Sequence, residues 1–229
     1  MHTKNILTAC AAIAAIAAIA VAQGAAAATI GYSSCAAGDS SGLTTCVAGA
    51  TVVDFNSGSA PASYSIVGTG GAVVSGSVIG KYAQPGGPSG PLSDQTAYLS
   101  VPSPLANPAS GSVLATPRGS YNYFGVYWGS MDDYNTLTFL SGGEVVLSVT
   151  GAQVISALNL LGNQTNAGSN RYVDFFFGNQ SFDAVRFTST NFAFESDNHA
   201  YANVPEPGSL ALLGLGLVGL GLARRRKTA

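Results

Sequence analysis

Apolar residues run unbroken near both ends of the chain and alternate with polar ones in between. Residues 6–21 are Ala, Ile, Leu and Val with one Thr and one Cys. Residues 208–223 form a second such run, sixteen residues with seven Leu and no charge. Between these runs lie short stretches of period-two alternation, rich in β-branched and aromatic residues and divided by Gly, Ser, Asn and Pro. That is the pattern of strands and turns. It predicts strands at 51–56, 64–69, 72–79, 97–101, 121–128, 135–140, 144–150, 171–177, 183–188 and 191–202. Gly70-Gly71 and Ser141-Gly142-Gly143 read as hairpin turns. Val154, Ile155, Leu158 and Leu161 fit a short helix that Thr150 caps. Residues 82–118 hold seven of the ten prolines and read as a long surface excursion. Eight to ten strands with polar turns predict an all-β fold, a single jelly-roll-like β-sandwich with a short helix, with a β-barrel as the alternative.

The two apolar runs have different flanks. Lys4 precedes the first, and Ala25-Ala26-Ala27-Ala28 follows it. A basic start, an apolar core and small residues at the end make a secretory signal peptide, with cleavage expected after Ala28. Cys10 lies ahead of most of the apolar core, so Leu7-Thr8-Ala9-Cys10 does not read as a lipoprotein site and Cys10 leaves with the peptide. The second run makes a helix of roughly 24 Å, marginal against a ~30 Å hydrocarbon core. Arg224, Arg225, Arg226 and Lys227 follow it directly and hold that end on the cytoplasmic side. Pro205 and Pro207 keep the helix from running back into the domain. The predicted division is a signal peptide at 1–28, an exported domain at 29–203 and a C-terminal segment at 204–229, with a transmembrane helix at 208–223 and a basic tail at 224–227.

Val204-Pro205-Glu206-Pro207, the Gly/Leu-rich run and Arg224-Arg225-Arg226-Lys227 together resemble the PEP-CTERM sorting signal of exported bacterial proteins. The resemblance implies recognition by an exosortase, an integral-membrane, transpeptidase-like enzyme. It implies cleavage near Pro-Glu-Pro and release or transfer to the cell surface or extracellular matrix. Signal peptidase, the export machinery and, before processing, the inner membrane are the other implied partners. The stretches "YFGVYWGSMDDYNTLTF" and "FTSTNFAFESDNHA", with "GNQT" and "YVDFFFG" between them, resemble one subgroup of exosortase-dependent surface proteins. That subgroup has no assigned activity, so this likeness implies a route and no reaction.

Composition narrows the partners. The exported segment, about 175 residues, is the size of one domain. It carries ten carboxylates against Lys81, Arg118, Arg171 and Arg186, which argues against nucleic acid, whose phosphates need clustered bases. Its two cysteines, Cys35 and Cys46, read as a disulfide in an exported chain.

Candidate chemistry is sparse. His199 is the lone histidine of the exported segment, no Gly-x-Ser-x-Gly elbow precedes a helix, and His199 reads as an exposed residue of the last strand. Asp132 and Asp133 are adjacent and flanked by turn residues, which fits a turn better than a glycosidase pair. No catalytic residue is assigned. Tyr123, Tyr127, Trp128 and Tyr134, with Tyr121 nearby, cluster with Asn122, Asp132, Asp133 and Asn135. Aromatic rings stack on sugars while amides and carboxylates bond hydroxyls, so this segment reads either as a carbohydrate platform or as core aromatics. Asp54 on the first strand and Glu195, Asp197 and Asn198 on the last are the expected ligands of a structural calcium ion, if those strands adjoin. No other cofactor is implied. The sequence thus reads as a non-enzymatic surface or matrix protein of an exopolysaccharide or biofilm layer. The alternative is a polysaccharide-binding module with the same itinerary.

Overall fold

The computed structural model describes residues 28–87, 92–155 and 158–205. The signal-peptide residues before Ala28, the run at 208–223 and the basic tail lie outside them. Fourteen strands appear in chain order: β1 (Thr29–Ser33), β2 (Cys35–Ala36), β3 (Leu43–Thr44), β4 (Thr51–Val53), β5 (Tyr64–Val67), β6 (Ala72–Ser75), β7 (Ala97–Val101), β8 (Gly111–Pro117), β9 (Tyr123–Gly129), β10 (Asn135–Ser141), β11 (Glu144–Thr150), β12 (Arg171–Phe176), β13 (Ala184–Ser189) and β14 (Phe194–Ala202). One helical turn, α1 (Gly151–Val154), and a 3-10 turn at Leu158–Leu160 follow β11. Among the described residues no helix is long and apolar enough to cross a membrane.

Twelve of the strands form two facing antiparallel sheets, and β2 and β3 pair as a separate ribbon. One has the order β1-β12-β9-β14-β7-β6, with β4 also beside β14; the other has the order β11-β10-β13-β8-β5. From β4 onward every connection except β6–β7 and β10–β11 carries the chain from one sheet to the other, which is the jelly-roll manner of winding. The alternation read in the sequence supplies the filling. Phe124, Val126 and Trp128 of β9 meet Leu137 and Phe139 of β10, Val185 and Phe187 of β13, and Val113 and Ala115 of β8 in one buried cluster. Trp128 stacks on Phe194 at 4.4 Å between ring centres. Each such ring contributes roughly 1.5–3 kcal/mol by leaving water.

Three local expectations come out differently. Gly70-Gly71 is not a hairpin turn, because β5 pairs with β8 in one sheet and β6 with β7 in the other. The glycines take the chain over the sandwich edge, where a Cβ on Gly70 would lie 2.4 Å from the Ser112 amide nitrogen. The proline-rich excursion also contains β8, an inner strand of the five-stranded sheet. Its core contacts are the small Val113 and Ala115, a weak signal among prolines. The helix is a single turn. Its cap is as expected: the Thr150 hydroxyl accepts the Gln153 amide, and the Gln153 side chain accepts the Thr150 amide. At Ser141-Gly142-Gly143 the hairpin forms as predicted between β10 and β11, with φ of 57° and 89° at the two glycines.

The outer face of the larger sheet is covered as well. Leu43, Val47, Ala50 and Leu92 lie over Tyr123, Tyr127, Tyr172 and Ala200 in a second, smaller core. This roof is stapled by a disulfide between Cys35 and Cys46, with 5.5 Å between their Cα atoms.

Candidate functional site

The roof decides which aromatic side chains reach solvent. β9 turns Phe124, Val126 and Trp128 into the sandwich and Tyr123 and Tyr127 toward the roof, so Tyr123, Tyr127 and Trp128 are all fully buried. The Tyr123 hydroxyl donates to Asp174 at 2.6 Å and meets the Thr45 hydroxyl at 2.5 Å. The Tyr127 hydroxyl donates to the Leu92 carbonyl. These three rings are therefore not a sugar platform. Period-two alternation frees one face of a strand only when nothing covers the sheet, and here something does. Tyr134 alone of the four is half-buried.

The expected calcium set is also dispersed. β4 does lie beside β14, with Val53 opposite His199. The side chains diverge, however. Glu195 accepts the Ala83 amide and the Ser130 hydroxyl, both at 2.9 Å. Asn198, at φ 49° in a register shift of β14, turns to the roof. Its Nδ2 donates to the Ser41 and Leu43 carbonyls at 2.7 and 2.8 Å. Asp54 is exposed. Among the described residues no three acidic, histidine or cysteine groups converge on a metal position. His199 is a core residue, against expectation. It is fully buried, stacked on Phe187 at 4.7 Å, and held by the Tyr64 hydroxyl at Nδ1 and the Ser196 hydroxyl at Nε2.

What the fold does assemble is a cleft of about 250 Å³ at the end of the sandwich. It lies where the β9–β10 and β13–β14 connections pass between sheets, beside the turn after β6. Tyr82, Tyr134 and Phe192 supply half-buried rings. Lys81, Ser130, Asp132 and Glu195 supply polar groups. The Tyr134 hydroxyl donates to the Phe192 carbonyl at 2.9 Å, which fixes its ring, and the Lys81 ammonium sits 4.2 Å from the Phe192 ring centre. Beneath the cleft, the buried Asn170 side chain accepts the amides of Gly86 and Ser130 and donates to the carbonyls of Asn163 and Asn166. It thereby joins three loops. Asp132 and Asp133 form the predicted turn, with Asp132 half-buried and Asp133 exposed.

Burial sets the protonation of the cleft. It pushes the Glu195 carboxyl up to about 8, against the lowering effect of the Ala83 and Ser130 hydrogen bonds. Burial also raises the Asp132 carboxyl, with Asp133 adding to the shift and Tyr134 opposing it. At neutral pH the floor is a largely neutral Glu195 acid. Sequence reading missed Lys81, Tyr82, Phe192 and Asn170. Only the chain's return from β6 and β13 to the same sandwich end brings them together, so no local spacing signals them. A wider depression of about 520 Å³ beside β5 and β6 is lined by Gly, Ala and Ser with Tyr64 and Leu99 and holds no charged side chain.

The other candidate feature follows β14. The Asn122 side chain grips the Val204 backbone at two points, accepting its amide at 2.7 Å and donating to its carbonyl at 2.8 Å. Val204 packs against the smaller core, and Pro205 is exposed. Glu206, Pro207, Arg224, Arg225 and Arg226 lie outside the described residues.

Among curated proteins none matches this sequence. A solved structure of a mutant of a family 29 carbohydrate-binding module is similar at a TM-score of 0.39, with 13% identity over 69% of this chain and 94% of that one. Residues 203–227 match the PEP-CTERM protein-sorting motif. The chain carries a PEP-CTERM sorting signal joined directly to a β-sandwich, and that signal implies export, a transient hold at the membrane and processing by an exosortase.

Proposed function

We propose that the chain is a non-catalytic protein of the bacterial cell surface or extracellular matrix, and that its sandwich domain holds polysaccharide in the cleft between Tyr82, Tyr134 and Phe192. The route is signal-peptide cleavage after Ala28, export, anchoring through 208–223 and an exosortase cut near Pro205-Glu206-Pro207. The cleft is the observation that carries the binding half. Its ~250 Å³ lies below the roughly 300–1,000 Å³ of common small-molecule sites, a size for one sugar ring rather than a long segment. Its chemistry suits a sugar: aromatic faces for the C–H side of a ring, and the half-buried Asp132 carboxyl for hydroxyl groups.

The test uses the full-length chain purified in mild detergent and the exopolysaccharide of its own cells. Retention of the chain on that polysaccharide is expected, with Tyr134→Ala weakening it at least tenfold and Tyr134→Phe by less, because the ring persists. Equal retention of Tyr134→Ala and the wild type removes the cleft from the proposal. New reducing ends in the incubated polysaccharide would make the protein a hydrolase instead. Mass spectrometry of the mature protein is expected to find a C-terminus near residues 204–207, without Arg224, Arg225 and Arg226.

A further inference from the structure

Two carboxyl side chains under the roof lack the partners that burial demands. Asp94, in the excursion before β7, and Asp197, in β14, are both fully buried. Asp94 Oδ1 is satisfied by the Thr96 amide at 2.9 Å and the Thr96 hydroxyl at 2.6 Å. Asp94 Oδ2 and both oxygens of Asp197 accept no hydrogen bond, although the Asn198 amide is close by. The two carboxyls are near enough to share a proton, and the other charges acting most strongly on them, Asp39 and Asp54, are also carboxylates. Tyr127, the neutral ring next to the pair, has spent its hydroxyl on the Leu92 carbonyl.

A buried carboxylate without a hydrogen bond or a counter-charge is among the costliest groups a fold can hold. Three acceptor oxygens without hydrogen bonds, on two neighbouring buried carboxyls, call for a proton or a cation between them. We propose that Asp94 and Asp197 form a divalent-cation site, suited to calcium, that ties the roof to the last strand. Hard oxygen donors suit calcium, which takes six to eight oxygen ligands in flexible geometry and accepts carbonyl oxygens and water beside carboxylates. Magnesium keeps more of its own water and fits a dry position poorly. Zinc prefers nitrogen and sulfur. Here Cys35 and Cys46 are in a disulfide and His199 is held by Tyr64 and Ser196. With two carboxylates in the site, its remaining ligands are neutral oxygens. The ion would join residue 94 to residue 197 beside the point where Asn198 grips Ser41 and Leu43.

The full-length chain in detergent, stripped with a chelator, is dialysed against radiolabelled calcium and melted with and without about 10 mM calcium, a level above the ~10⁻⁴–10⁻³ M affinity common for extracellular sites. One ion per chain is expected. At a hundredfold excess over Kd the midpoint should rise by about 5–10 °C. Asp197→Asn and Asp94→Asn should each bind at least tenfold more weakly, and calcium should raise their midpoints by at most about half as much. Asp94→Asn keeps the Thr96 bonds, so it guards against a folding failure of the other variant. Should the wild type bind no calcium, or should both folded variants bind it as before, the site is refuted. A stripped midpoint that rises on acidification and ignores calcium would show a shared proton in place of the cation and would equally overturn it.

Discussion

Replacing His199 by Gln removes a buried base whose effect on stability can be calculated. Burial among Phe187, Phe55, Tyr64 and Phe124 depresses its pKa to about 3. An unfolded histidine titrates near 6.5. Between those values the unfolded chain takes up a proton that the folded chain refuses. The stability owed to neutral His199 is therefore complete above pH 6.5 and is lost as pH falls toward 3. At about 1.36 kcal/mol per pH unit, acidification from pH 7 to pH 5 costs about 2 kcal/mol. Glu195 works in the opposite sense. Its folded pKa of about 8 lies above the unfolded 4.5, so the folded chain holds the extra proton and the same acidification stabilises by about 2–3 kcal/mol. These two contributions nearly offset each other in the wild type, so His199→Gln should gain stability relative to the wild type as pH falls. The assay is urea unfolding of both proteins at pH 7, 6 and 5 in chelating buffer. Asp94 and Asp197 titrate alike in both proteins, so they cancel in the difference. That difference should close by about 2 kcal/mol from pH 7 to pH 5. Parallel profiles, within about 0.5 kcal/mol, would mean that His199 is not neutral and buried, and the reasoning would fail.

Asn198→Ala strips the roof of its grip on β14, leaves the Ser41 and Leu43 carbonyls without that donor and puts alanine, which tolerates the left-handed region less well than asparagine, at φ 49°. A loss of about 3–5 kcal/mol is expected by chemical denaturation, and a loss under about 1 kcal/mol would contradict the assigned bonds. Opening the Cys35–Cys46 bridge with a reductant, or by Cys35→Ser with Cys46→Ser, should cost about 3 kcal/mol, a drop of roughly 6–12 °C in melting midpoint. Asn122→Ala releases Val204 from the domain, so pulse-chase labelling should show the processed form appearing faster at an unchanged fold. An identical processing rate would mean that the Asn122 grip plays no part in sorting.

Strands were legible where alternation and turn chemistry agreed. The β10–β11 hairpin, the central strand β9 and the Thr150 cap all follow from local pattern. Legibility ended where tertiary contacts decided. Gly70-Gly71 carries the same residues whether it turns a hairpin or lets the chain squeeze past Ser112, and only the position of β8 distinguishes the two. The burial of Tyr123 and Tyr127 was hidden for a similar reason. Alternation shows that a strand has two faces, and the cover on the second comes from residues nearly eighty positions away. Tyr134 stood out in the sequence, but Lys81 and Phe192 reach its cleft from other connections of the fold. Asp94 was one of ten carboxylates with no local pattern to mark it, and only the roof encloses it.

β14 draws these features together. Glu195 enters the cleft, Asp197 the proposed cation site, Asn198 the roof and His199 the core, all from within residues 195–199 of one strand. That strand lies between β9 and β7 within its sheet, so neither side of the sheet closes without it. It is also the last strand before the sorting signal, and Asn122 holds the chain to the domain as far as Val204. With 208–223 in the membrane as proposed, residues 205–207 could span at most roughly 10 Å between the folded body and the bilayer. An exosortase acting on Pro-Glu-Pro must work within that gap or wait for the Asn122 grip to open. The gap is short only once β14 is seated. On that proposal, seating of β14 and access of the exosortase would compete for the same few residues.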